Sequence, residues 1–161
     1  MALHGGLQND RQLDSVGWRL LKLLQENARL SLRQIGEVIG LTAPAVSERV
    51  RRFEDVGILT GYHAEIDLAK VGLPILAFIH LTSNGTQSDR LREAVEGIPQ
   101  VLECHCITGS ESYILKVAVA SVPRLEDLLL SFKNFGEVRT SLVLSTQITR
   151  RVIDETMVHQ G

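Results

Sequence analysis

Cysteine is almost missing from this chain, with only Cys104 and Cys106 among 161 residues. Two thiols this close together exclude a disulfide framework. Long apolar runs are missing too. None approaches the roughly 20 residues that cross a bilayer, and the opening MALHGGLQND has no apolar signal-peptide core, so the expected location is the cytoplasm. There is no glycine-rich phosphate loop, no paired zinc-ligand spacing and no nucleophile elbow, which leaves catalysis without support. Charge of one sign is also missing: the formal net charge is -2. The composition that remains, 44% apolar and 22% charged, is that of a globular chain long enough for one domain or two small ones.

The small net charge hides an uneven distribution. Residues 29 to 52 carry five arginines (Arg29, Arg33, Arg49, Arg51, Arg52) against Glu37 and Glu48, a local excess of +3. Screening limits the reach of surface charge to about 10 Å in moderate salt, so this local excess decides what the surface attracts. One face of the N-terminal half is positive.

Three helices are predicted there. The first opens with Asp14 as N-cap and Leu13 stapled onto Trp18, and turns Val16, Leu20, Leu23 and Leu24 inward; Gly17 weakens its first turn. The second starts at Ser31, where Ser31 and Gln34 fit a capping box, and ends near Gly40. The third takes Thr42 as N-cap, tolerates Pro44 in its first turn and stops at Gly57. At about 3.6 residues per turn, Val46, Val50 and Phe53 share its inner face. Pro44, Glu48, Arg51 and Arg52 lie opposite, flanked by Ser47 and Arg49.

A short second helix, a glycine-bearing turn and a third helix that begins with small residues follow helix-turn-helix logic, in which the third helix enters the major groove of duplex DNA. Thr42, Ala43, Pro44, Ser47, Glu48 and Arg51 are the candidates for base edges. Arg33, Arg49 and Arg52 are the candidates for phosphates, which fix register without reading sequence. A solvated arginine face, or a three-helix module that binds protein, is the competing reading.

Beyond Gly57 the alternating run ILTGYHAEID is predicted as a strand, and LAKVGLP as a linker. The order strand (75–82), helix (89–98), strand (101–108) is then repeated as strand (112–120), helix (122–135), strand (138–148). Two such units give the ferredoxin-like βαββαβ arrangement, with both helices on one face of an antiparallel sheet. Strands such as Ile75 to Ile79 are apolar at nearly every position, a pattern of burial on both faces, so the uncovered face is expected to meet a second copy of the chain. In the run Cys104-His105-Cys106, alternation sends the cysteines to one face and the histidine to the other. No shared metal site is expected, and the cysteines are read as two small buried hydrophobes.

The ordered segments LDSVGWRLLKLLQENARLS (13–31), IGEVIGLTAPAVSERVRRFEDVGILTGYHAEID (35–67), VGLPILAFIHL (71–81), VLECHCITGSESYILKV (101–117) and VRTSLVLS (138–145) resemble the Lrp/AsnC, or feast/famine, family of transcriptional regulators. The resemblance implies an α+β chain: a flexible arm (1–12), a winged helix-turn-helix DNA-binding domain (13–61), a strand and linker (62–74), a ferredoxin-like effector-binding and oligomerisation domain (75–150) and a tail (151–161). It also implies a homodimer that assembles to a tetramer or octamer, double-stranded DNA as partner, a nucleoid-associated location, and an amino acid or related metabolite as effector, with no cofactor and no metal.

In the family the effector lies where dimers meet, near a loop of the form Gly-Asp-x-Asp-Tyr. The corresponding loop here is Gly109-Ser110-Glu111-Ser112-Tyr113, with serine at both usual acidic positions and the carboxylate between them. A one-residue shift turns a strand side chain to the opposite face, so this departure from the family pattern points to a ligand other than the standard amino acids, or to none. Gly17, where the family often has Asp, is a further departure, and so is a short segment between Leu125 and Val138. Siroheme decarboxylases are similar in fold and would place His63, His80 or His105 with arginines near a tetrapyrrole. A sensor that acts by protein contact alone is the third reading.

Overall fold

The computed structural model describes residues 13–82 and 88–158. They form two compact units, one holding residues up to 64 together with the segment from 148 onward, the other holding 65–147. The arm expected over 1–12 lies outside the described residues.

The first unit contains three helices, α1 (Ser15–Glu26), α2 (Leu32–Ile39) and α3 (Ala43–Asp55). Their boundaries follow from local capping chemistry. The Asp14 carboxylate accepts the Gly17 amide at 2.7 Å, so the first turn of α1 is firmly capped and Gly17 does not spoil it. A side chain at Gly17 would press on Asp14 Oδ1 and Phe53 Cζ, both 3.1 Å from where its Cβ would stand. Glycine thus lets α3 approach α1. Ser31 and Gln34 form the complete capping box of α2, and Gly40, at φ 78°, ends that helix in the left-handed region. Thr42 occupies the N-cap position of α3, but its side chain makes no cap hydrogen bond, contrary to expectation; Pro44 lies in the first turn, where its missing N–H leaves no helical bond unmade.

Leu20, Leu24, Ile35, Ile39, Val46 and Phe53 are buried together, with Val16, Trp18, Leu23, Leu41 and Val50 packed around them. Full burial of side chains like Val46 and Phe53 contributes about 1.5–3 kcal/mol each. The strand predicted from the alternation after Gly57 is not formed. Residues 60–66 run exposed, with no sheet partner among the described residues, and alternation alone makes no strand without a hydrogen-bonded neighbour.

The tail returns to the helices. Gln25 on α1 donates from Nε2 to the Ile153 carbonyl at 2.9 Å and accepts the Ile153 amide on Oε1 at 3.0 Å. Asp154 then caps a short 3₁₀ turn over Glu155–Met157.

The second unit is β1 (Ile75–Thr82), α4 (Ser88–Glu96), β2 (Val101–Cys106), β3 (Tyr113–Val119), α5 (Val122–Phe132), a 3₁₀ turn and β4 (Glu137–Leu142). The sheet order β2-β3-β1-β4 is fully antiparallel, as the ferredoxin-like reading requires. Ala77, Ile79, Leu81, Leu115 and Val117 meet Leu91, Leu125, Leu128 and Phe132 in one core. β2 and β4 are shorter than predicted, ending at Cys106 and Leu142.

Register places Phe78, His80, Ile114 and Lys116 on the opposite sheet face, where Lys116 Nζ reaches Glu103 Oε1 at 2.8 Å. Phe78 and Ile114 are only half-buried there. Cys104 and Cys106 correct the sequence reading: both are exposed. They do share one face, but β2 is an edge strand, and the core forms over the central strands β1 and β3.

Candidate nucleic-acid interface

The α2–α3 connection is fixed by one carbonyl. Gly36 O accepts the amides of Gly40 at 2.9 Å and Leu41 at 3.0 Å, closing the turn that sets α3 against α2. Gly36 is buried, and a Cβ there would run into the Leu41 carbonyl, so only glycine permits this turn.

With Val46 and Phe53 buried, the outer face of α3 carries Pro44, Ser47, Glu48, Arg51 and Arg52, all exposed, with Thr42 exposed and Ala43 half-buried at its start. Among the described residues Arg51 and Arg52 have no hydrogen-bonding or ionic partner, so two guanidinium groups stand ready for an external anion. The first helical turn offers small side chains, which let a helix come close to a flat surface.

The remaining predicted phosphate ligands are placed differently. Arg33 on α2 is exposed and pairs with Glu37 one turn on, at 3.0 Å, a contact that solvent leaves weak. Arg49 sits between α3 and α1, where its guanidinium holds both Asp14 oxygens at 2.8 and 2.9 Å. That hydrogen-bonded arginine, helped by the Gly17 amide, lowers the Asp14 carboxyl below its ordinary range. Sequence reading missed this partner because helical rotation reports the flank on which Arg49 lies, not what faces it. It also missed Arg19, which donates to the Val38 carbonyl at 2.6 Å and so satisfies the end of α2.

The second candidate region is the loop between β2 and β3. The Ile107 amide donates to the Ser112 carbonyl at 2.9 Å, closing the loop, and the Ser112 amide donates to the Leu81 carbonyl of β1 at 2.9 Å. Gly109 adopts φ 125° at its tip, with open space around it. Ser110 Oγ donates to Glu111 Oε2 at 2.7 Å. This hydroxyl, helped by the residue's own backbone amide, lowers the Glu111 carboxyl below its ordinary range. Tyr113 begins β3 opposite Leu81 and Cys106.

Residues 13–54 match the AsnC-type helix-turn-helix domain, and residues 76–153 match the Lrp/AsnC ligand binding domain. The chain belongs to the Lrp/AsnC family. It is 30% identical over 134 residues to the transcriptional regulator LrpC of Bacillus subtilis, covering 83% of this chain and 93% of that protein. It is 36% identical over 137 residues to the regulator LrpA of Mycobacterium tuberculosis, covering 83% and 91%. The solved structure of LrpC superposes with a TM-score of 0.82 at 30% identity, covering 86% of this chain and 99% of that one. A feast or famine regulatory protein of M. tuberculosis complexed with L-methionine gives 0.80 at 33% identity, covering 88% and 99%. As an Lrp/AsnC member, this chain is a transcriptional regulator with a helix-turn-helix DNA-binding domain. Among the described residues no helix is long and apolar enough to cross a membrane.

Proposed function

We propose that this Lrp/AsnC regulator works as a homodimer, assembling further to a tetramer or octamer, that lays one α3 of each subunit into successive major grooves. The observation that carries this reading is the division of α3 into a buried face of Val46 and Phe53 and an exposed face where Arg51 and Arg52 lack partners among the described residues. Thr42, Ala43, Pro44, Ser47, Glu48 and Arg51 meet base edges; Arg52 and Arg33 meet phosphates. Arg49, predicted with them, serves mainly to hold α3 through Asp14. A dimer multiplies two weak half-site contacts, which makes the modest local charge of +3 sufficient. The sheet face of Phe78 and Ile114, which no helix covers among the described residues, takes the second copy. The protein acts in the cytoplasm on nucleoid DNA, without chemistry of its own.

The loop Gly109, Ser110, Glu111, Ser112 and Tyr113 is the effector site in this reading, supported by the L-methionine held by a solved relative. Glu111, hydrogen-bonded to Ser110 and one residue away from each of the usual acidic positions, supplies the negative charge for a cationic group on an amino acid or related metabolite that differs from the family's usual effectors.

Fluorescence anisotropy tests the whole reading. The protein is titrated onto a duplex from its own upstream region and onto a random duplex, at two salt concentrations, with and without a panel of amino acids. Tighter binding to the upstream duplex, a steep loss of affinity with salt and a shift with at least one amino acid are expected. Equal affinity for both duplexes at low salt would overturn the assignment of α3.

A further inference from the structure

We propose that Cys104 and Cys106 form a binding site for a soft, two-coordinate cation of the Cu(I) type on the outer strand of the C-terminal sheet. They are the chain's only cysteines, both lie on the edge strand β2, and both are exposed. Register pairs Cys104 with Leu115 and Cys106 with Tyr113, so the two thiols stand side by side on one face. His105 pairs with Ile114 and points to the other face, where its Nε2 meets Glu103 at 3.2 Å. The inference holds whether or not that other face receives a second subunit.

Strand geometry selects the ligand. Two residues of strand separate the α-carbons by about 6.8 Å and keep the Cβ atoms parallel. A disulfide needs its Cβ atoms about 3.8 Å apart, so these thiols cannot join each other. Rotating both sulfurs inward brings them within about 4–5 Å, and two metal–thiolate bonds of about 2.3 Å laid end to end span that gap. Thiolate favours Cu(I) among biological ions, and also zinc. Zinc, however, takes four ligands in a structural site, and among the described residues no group of three or more His, Cys, Asp or Glu side chains converges. Only an ion content with two sulfurs is served.

Binding removes one proton from each thiol, so that two R–SH and Cu⁺ give [Cu(SR)₂]⁻ and two H⁺, with no electron transferred. The ion would clamp the end of β2 beside Ile107, whose amide closes the 109–113 loop.

The test is an anaerobic titration of the full chain with Cu(I) against a chromogenic Cu(I) chelator, with native mass spectrometry for stoichiometry and circular dichroism to check the fold of each variant. One Cu(I) per chain is expected, unmoved by excess Zn(II), with affinity lowered by at least about 100-fold in either Cys104→Ser or Cys106→Ser as one of two soft ligands is lost. Undiminished Cu(I) binding by the folded serine variants, displacement by Zn(II), or one ion per two chains would each overturn the site.

Discussion

Arg49 grips Asp14 through two parallel hydrogen bonds of 2.8 and 2.9 Å, while the same carboxylate accepts the Gly17 amide at 2.7 Å. One side chain therefore starts α1 and pins α3. Its side chain is 53% exposed and that of Arg49 34%, so solvent limits the ion pair to well under about 1 kcal/mol. The cap adds about 1 kcal/mol. Asp14→Ala is expected to cost about 1–2 kcal/mol and Arg49→Ala about 0.5 kcal/mol in denaturant unfolding. A double-mutant cycle showing additive losses would mean that the pair does not couple the helices.

The same pair sets a pH dependence. Arg49 and the Gly17 amide hold the folded carboxyl below its ordinary value of 3.8. A carboxyl lowered on folding stabilises the protein fully above its unfolded pKa, and this contribution is lost as the pH falls through the folded one. The stability difference between the native chain and Asp14→Asn should therefore stay constant from neutral pH down to the ordinary carboxylate range and shrink below it. Thermal unfolding at a series of pH values measures this, and a gap that widens on acidification would contradict the assignment.

Gly36→Ala provides a test of the turn. Alanine favours a helix interior over glycine by about 1 kcal/mol. Here the added methyl runs into the Leu41 carbonyl, and backbone that closes the α2–α3 turn cannot yield without moving α3. Overpacking of this kind costs about 1–3 kcal/mol, enough to cancel the gain or exceed it. A lowered Tm is expected, together with weaker binding of the variant than of the native chain to the upstream duplex. A raised Tm would show that the turn has slack.

Gln25→Ala should release the tail. The two hydrogen bonds to Ile153 are solvent-exposed, each contributing at the low end of about 0.5–1.5 kcal/mol. Their loss favours local opening over 148–158 and should speed trypsin cleavage after Arg150 or Arg151 by about 5-fold or more. An unchanged cleavage rate would mean that other contacts hold the segment.

What was legible in the sequence was what short-range chemistry determines. Ser31 and Gln34 lie within one helical turn, and their box formed as read. Asp14 announced the start of α1 in the same way. The ferredoxin-like order was legible because each predicted helix was long enough to carry the chain across one face and past an intervening strand. Long-range partners were not. Arg49 and Asp14 are 35 residues apart, and Gln25 and Ile153 are 128 apart, with no pattern linking them. The cysteines were misread because burial on a strand depends on its place in the sheet: the same alternation that buries Leu115 and Val117 on β3 leaves Cys104 and Cys106 open at the edge. Residues 60–66 have the alternation of a strand, but a strand is a property of a pair.

Arg51 and Arg52 are adjacent, and both are exposed, yet a helix rotates them about 100° apart, so only one can face the groove floor. The four-residue step from Ser47 to Arg51, about one full turn, keeps Arg51 on the face that opens with Pro44, whereas Arg52 leans toward the flank where phosphates pass. Arg51→Ala should therefore relax preference at one base pair by about 1–3 kcal/mol, the value of a bidentate arginine–guanine contact, and leave random DNA little affected. Arg52→Ala should weaken specific and random duplexes alike and reduce the salt slope by about one unit. Anisotropy titrations over single-base variants of the upstream duplex separate the two. Equal losses for both variants on every duplex would take Arg51 out of the base-reading group and leave recognition to Thr42, Ser47 and Glu48.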